Sequence, residues 1–151
     1  MIERYTLPEM GEIWSDQHKL EAWKKVEVAA LSSFEAHGKI PPGAAAATEA
    51  ATCPTPEAVA EREEVTNHDL AAFVDLLGQA AGEEAAQWVH YGLTSSDVLD
   101  TAGGLLLRGA ADLLSAALSS LREVVTARAW EHRATFMIGR THGIWAEPTT
   151  F

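Results

Sequence analysis

The most regular pattern in the chain lies between Leu99 and Val124. There Leu99, Ala102, Leu106, Ala110, Leu113, Ala117, Leu121 and Val124 recur at intervals of three or four residues. That interval is the α-helical period, so one long helix is expected from Ser96 to about Arg128, roughly 50 Å at ~1.5 Å per residue. Its polar positions, Thr101, Arg108, Asp112, Ser115, Ser119 and Arg122, form only a narrow stripe. The rest of the circumference is apolar or small and includes Gly103, Gly104 and Gly109. A glycine inside a helix costs roughly 1 kcal/mol against alanine, and close approach by a neighbouring helix is the expected compensation. Such a helix needs several long neighbours, more than a chain of 151 residues holds. They must come from further sequence, from other subunits, or both.

Shorter elements precede it. Residues 1–7 lack periodicity and read as an extended arm, and Pro8 suits the first turn of a helix. Ser15-Asp16 can cap a longer helix whose Leu20, Trp23, Val26, Ala30 and Phe34 make one apolar stripe, ending at Gly38 before Pro41-Pro42. The alanine-rich stretch 43–52 predicts a short helix. Thr55-Pro56-Glu57 is a helix start, with a cap, a first-turn proline and an acid. A further start at Thr66-Asn67-His68-Asp69 leads into Leu70, Phe73, Val74 and Leu77, with Asn67 as the expected cap and a stop near Gly78 or Gly82. Trp88 to Leu93 reads as an irregular link. Beyond Trp130 the periodicity fades. Met137 to Phe151 reads as a loop with room for a short hairpin, and Glu147-Pro148-Thr149 as the start of another helix. The expected class is all-α.

Composition narrows the function. Apolar residues make up 47% and charged residues 22%, the balance of a folded globular chain. Net charge is −11, from 22 acidic and 11 basic residues, which disfavours nucleic acid as a partner. Cys53 is the only cysteine, so no intrachain disulfide is expected. No secretory signal is visible at the start, and Asp75 and Arg108 interrupt the two candidate apolar runs. No membrane span and a cytoplasmic location are therefore expected. The histidines show no zinc-type spacing with one another or with Cys53, and no phosphate-binding or dinucleotide glycine motif occurs. No metal and no cofactor are expected.

Four short stretches carry candidate chemistry. Thr94-Ser95-Ser96-Asp97 heads the long helix, where hydroxyls can cap free N–H groups or, with the helix dipole, help hold an anion. Gly139-Arg140-Thr141-His142-Gly143 presents a histidine, the usual general acid or base near neutral pH, in a loop of ordinary surface character. Asn67-His68-Asp69 places another histidine at a helix start, as a passenger or as a ligand for an anion. Arg4-Tyr5 combines a phosphate-binding and a stacking side chain, and means little by itself.

In this order, the stretches RYTLPEMGEIWSD (4–16), TNHDLAAF (66–73), WVHYGLTSSDVLDTA (88–102) and GRTHGIWAEPTTF (139–151) resemble the adenylosuccinate lyase family of the fumarase/aspartase superfamily. The resemblance covers essentially the whole chain. It implies a chain several-fold longer, with a helical N-terminal domain (here 1–93), a central bundle that 94–151 only begins, and a small C-terminal domain. It also implies a homotetramer whose bundles pool into one core. The implied reaction is β-elimination of fumarate from adenylosuccinate, giving AMP, and from the succinylated imidazole carboxamide ribotide of purine synthesis.

By the same resemblance His142 is the acid that protonates the departing nitrogen, and Thr141 helps hold the substrate. His68 is a second functional histidine with Asn67 and Asp69 beside it, Thr94 and Ser95 bind a substrate carboxylate, and Arg4 and Tyr5 bind the nucleotide. The family's base is a serine on a mobile loop that lies beyond residue 151, so residues 1–151 alone are expected to be inactive. Two departures stand out: many members have arginine at the place of Asn67 and histidine at the place of Trp145. The rival expectations are another superfamily lyase or cycloisomerase of carboxymuconate type, and a non-catalytic helical oligomerisation module.

Overall fold

The structure is a computed structural model and describes residues 2–151. The chain divides into two compact units, Met1–Ala110 and Ala111–Phe151. In the first, a single 3-10 turn (Glu3–Tyr5) precedes helices α1 (Pro8–Ile13), α2 (Asp16–Ala36), α3 (Ala44–Ala50), α4 (Pro56–Thr66), α5 (Asp69–Ala81) and α6 (Glu83–Ala86). Helix α7 (Ser95–His132) begins in the first unit and ends in the second, where strands β1 (Phe136–Thr141) and β2 (Ile144–Thr150) follow. The fold is all-α apart from this one hairpin.

The main core of the first unit gathers Leu20 and Trp23 of α2, Val59 of α4, Leu70, Phe73 and Leu77 of α5, and Val98, Ala102 and Leu106 of α7. Trp23 and Phe73 meet edge to face with ring centres 5.4 Å apart, an arrangement that adds to their area burial. A second cluster, Leu31, Ile40, Ala44, Ala45 and Ala85, closes the other end. The buried face of α2 is rotated from the expected stripe: Glu27 and Leu31 are buried, while Val26, Ala30 and Phe34 are only half-buried.

Caps fix where the helices start. Ser15 accepts from the His18 N–H at 3.1 Å and Thr55 from the Ala58 N–H at 3.3 Å, as their positions predict. The Glu35 carboxylate reaches across to accept from the Gly43 and Ala45 N–H groups at 3.0 and 2.8 Å, so α2 caps α3. Lys24 Nζ donates to the Glu49 and Ala51 carbonyls at the other end of α3. Arg62 and Asp75 tie α4 to α5 at 2.7 Å.

Several expectations need correction. Asn67 does not cap α5: it ends α4 in the left-handed region (φ 52°), with its N–H on the Glu63 carbonyl, and His68 is the N-cap of α5. Asparagine tolerates left-handed backbone, which suits it to a helix end as well as a start. Glu147-Pro148-Thr149 does not begin a helix but lies in β2, opposite β1. The β-forming residues on both sides of the turn decide this, and a hairpin edge accepts a proline that lacks an N–H. Gly103 and Gly104 face open space, and only Gly109 meets a neighbour, the Ile13 side chain at 3.6 Å from where a Cβ would sit.

The reading that no apolar run could span a bilayer is also revised. Helix α7 is long and apolar enough to do so, and most of its apolar stretch is exposed. The charges at Arg108 and Asp112, each of which has an interaction partner, do not make the helix too polar for a span. In the second unit Leu114, Leu118, Leu121, Val124 and Val125 are each at least 55% exposed.

Candidate active site

Where α4 meets α5, two residues serve two helix ends. Thr66 Oγ1 bridges the turn, donating to the His68 carbonyl at 3.0 Å and accepting from the His68 N–H at 3.4 Å. His68 Nδ1 accepts from the Ala71 N–H at 3.4 Å, so the neutral ring carries its proton on Nε2, directed away from the cap. Asp69 Oδ1 lies 3.4 Å from the same Nδ1. One nitrogen cannot accept from the amide and donate to the carboxylate at once. The cap bond therefore belongs to the neutral ring and the ion pair to the protonated one. Asp69 also accepts from the Leu70 N–H at 2.7 Å, which fixes its carboxylate. The His68 side chain is 47% exposed.

At the head of α7 the cap is not a hydroxyl. Asp97 Oδ2 accepts from the Thr94 N–H at 2.9 Å, and the Asp97 N–H donates to the Thr94 carbonyl at 3.0 Å. This is the carboxylate half of a capping box. Among the described residues, nothing pairs with the hydroxyls of Thr94, Ser95 or Ser96. They remain available beside the N–H groups of the first turn, which favour negative charge. Buried Val98 anchors this turn to the core. Asp97→Ala is expected to destabilise the first unit by about 1 kcal/mol, read by thermal unfolding. An unchanged melting temperature would show that the cap contributes nothing.

The link into α7 is held from α2. Glu27 is fully buried, and its two carboxylate oxygens face one residue: Oε2 accepts from the His90 N–H at 2.8 Å, and Oε1 lies 2.7 Å from His90 Nδ1. His90 itself is in the left-handed region, φ 65°. Tyr91 packs edge-on against Phe34 and Trp88. Sequence reasoning missed this pair, since a helical glutamate usually reads as a solvated residue.

In the second unit Thr141 pairs with Ile144 across a two-residue turn, His142-Gly143, with φ values of 50° and 76°. Two positive φ values make a type I′ turn, which matches the twist of a hairpin. Gly143 thus serves the turn. Gly139 serves a bulge, since an added Cβ would sit 3.2 Å from the Glu147 carbonyl, where the register shifts between Ile138 and Arg140. His142 stands exposed at the tip, with no hydrogen-bond partner among the described residues.

Arg4 lies over the Tyr5 ring at 4.8 Å in the N-terminal arm, and both side chains are exposed. The predicted residues of the first unit thus form three local groups, Arg4-Tyr5, Asn67-His68-Asp69 and Thr94-Ser95. No hydrogen bond or ion pair among the described residues joins one group to another. Thr141 and His142 belong to the second unit. No group of three or more potential metal ligands occurs among the described residues. Half-buried Cys53 is no ready nucleophile: burial, with the Glu21 carboxylate, pushes its thiol up against the opposing pull of Lys24.

Comparison with known proteins agrees with these motifs. A family profile described as lyase matches residues 6–151. Adenylosuccinate lyases from Aquifex aeolicus and Deinococcus radiodurans are 44% and 46% identical over the whole chain, which spans 35% and 36% of their lengths. Among solved structures, 3-carboxy-cis,cis-muconate lactonizing enzyme from Pseudomonas putida superposes with a TM-score of 0.86 at 34% identity, over 97% of this chain and 35% of that one. A fumarate lyase from a Mesorhizobium species gives a TM-score of 0.83 at 35% identity, over 94% of this chain and 34% of that one. The chain spans about a third of the length of the curated relatives it matches, in their N-terminal portion. It belongs to the lyase family of the fumarase/aspartase superfamily, in which its curated relatives at 41–46% identity are adenylosuccinate lyases.

Proposed function

We propose that this chain is the N-terminal part of an adenylosuccinate lyase, which eliminates fumarate from adenylosuccinate to leave AMP, and from the succinylated imidazole carboxamide ribotide. The observation that carries this reading is the head of α7. Unpaired hydroxyls of Thr94 and Ser95 stand beside free helix N–H groups, within a sequence that is 44% identical to an adenylosuccinate lyase across its length. Such a head suits a carboxylate of the succinyl group.

In this reading His142 is the general acid that protonates the departing nitrogen, and its ring at a hairpin tip, without a partner among the described residues, leaves both nitrogens to a substrate. Thr141 helps hold that substrate. His68 is the second functional histidine: its cap bond directs Nε2–H outward, with Asn67 and Asp69 alongside. Arg4 and Tyr5 bind the nucleotide part, Arg4 at the phosphate. Residues 1–93 form the N-terminal domain and 94–151 open the central bundle. The exposed apolar stripe of α7 packs against other helices of a homotetramer in the cytoplasm rather than against lipid, since the same helix carries a polar stripe that includes Arg108 and Asp112.

The base, a serine on a mobile loop, lies outside these residues. The expected result is that purified 1–151 releases no fumarate from adenylosuccinate in an absorbance assay, whereas the full-length protein does. Turnover by 1–151 would refute this assignment of the base. A second reading, a cycloisomerase of carboxymuconate type, draws on the superposition with the Pseudomonas enzyme. A panel of adenylosuccinate, the succinylated ribotide and carboxymuconate given to the full-length protein separates the two.

A further inference from the structure

We propose that Glu27 is a positioning residue: it clamps His90 and so sets the approach of residues 91–94 to the head of α7. The proposal rests on the lyase reading of that head.

A carboxylate with no exposed surface is costly unless its oxygens are satisfied, and a helix facing a core has no need of one. Here both oxygens are spent on the main-chain and ring nitrogens of His90, 63 residues away in sequence. The grip holds a non-glycine residue at φ 65°, a backbone region it would otherwise leave. It also fixes the ring, because Nδ1 is directed to Glu27 and Nε2 is left without a partner among the described residues. The His90 side chain keeps 25% of its surface exposed.

The chain between His90 and Thr94 has a second hold on the same helix. Phe34 lies seven residues after Glu27, two turns along the same side of α2. Its ring meets Tyr91 with centres 5.7 Å apart. Its Cζ lies 3.3 Å from where a Gly92 Cβ would sit, and Gly92 has φ 71°. The Leu93 N–H closes back on the His90 carbonyl at 3.3 Å. Two contacts on one face of α2 therefore determine where Thr94 and Ser95 stand. A carboxylate used only for stability would not need to control this link.

The test is Glu27→Gln in the full-length protein, with Arg62→Gln as a control that breaks the α4–α5 ion pair. Glutamine keeps the shape and its oxygen can still accept from the His90 N–H, but its NH2 then faces Nδ1, so the charge-assisted ring bond gives way to a weaker neutral one that requires the opposite His90 tautomer. KM for adenylosuccinate is expected to rise at least tenfold with a smaller change in kcat, and the His90 ring nitrogen resonances are expected to shift. Arg62→Gln should leave both kinetic constants within about twofold of wild type. Wild-type kinetics for Glu27→Gln, or an equal loss in the control, would overturn the positioning role. Should Glu27→Gln fail to fold, Gly92→Ala perturbs the same link without touching the buried charge, and an unchanged KM there overturns the role equally. An inactive wild type would remove the lyase reading and the proposal with it, whereas an active wild type with an unaffected variant removes only the proposal.

Discussion

Replacing His142 with alanine in the full-length protein is expected to lower kcat by a factor of about 10² to 10⁴, the usual contribution of a positioned general acid. KM should change much less, because the imidazole acts on the departing nitrogen as it leaves. Fumarate release under saturating adenylosuccinate measures this directly. The backbone complicates the alanine variant: residue 142 sits at φ 50°, where a side chain other than glycine or asparagine is strained by roughly 1–2 kcal/mol. His142→Asn removes that complication, since asparagine accepts the left-handed region yet cannot shuttle a proton near neutral pH. Both variants should lose activity to a similar degree. If His142→Asn retained wild-type kcat, the residue's contribution would be to the turn and not to proton transfer.

The largest effect on stability is expected for Phe73→Ala, about 3–5 kcal/mol. Phe73 is fully buried in the main core and meets Trp23 edge to face. Its removal forfeits the transfer energy of the ring and leaves a cavity among α2, α4 and α5, whose caps and Arg62–Asp75 pair limit how far they can close in. Against a typical total of about 5–15 kcal/mol, a loss of that size approaches unfolding of the first unit. Urea titration followed by circular dichroism provides the measurement. A shift below about 1 kcal/mol would show that neighbouring side chains refill the space.

Much of the fold was legible because local rules and tertiary packing agree. The cap at Ser15 and the proline starts at Pro8 and Pro56 act within a turn of helix, the spacing from Leu99 to Val124 repeats turn after turn, and the helix that each of them predicts exists. The failures came where two rules competed. Asn67 and His68 can each serve a helix end, and only the backbone angle of Asn67 assigns them. Glu147-Pro148 has the local chemistry of a helix start, but pairing with β1 outweighs it. The site was legible as residue types in order and not as geometry. The Thr94-Ser95 hydroxyls and His142 could be named from the sequence, while the capping by Asp97 needed the fold. The Glu27–His90 clamp was the least legible feature, because its partners are remote in sequence and a glutamate on α2 has the look of a solvated residue.

The bare apolar flank of α7 bears on how such a protein is made. On the proposed reading, a ribosome that has translated as far as Phe151 has produced a capped, self-contained first unit followed by a greasy rod whose companions are still unsynthesised or reside on sister chains. Leu114, Leu118 and Leu121 would then depend on chaperone cover for the time needed to translate the remainder and find three partners. Assembly, and not the folding of the first hundred residues, would set the pace of maturation.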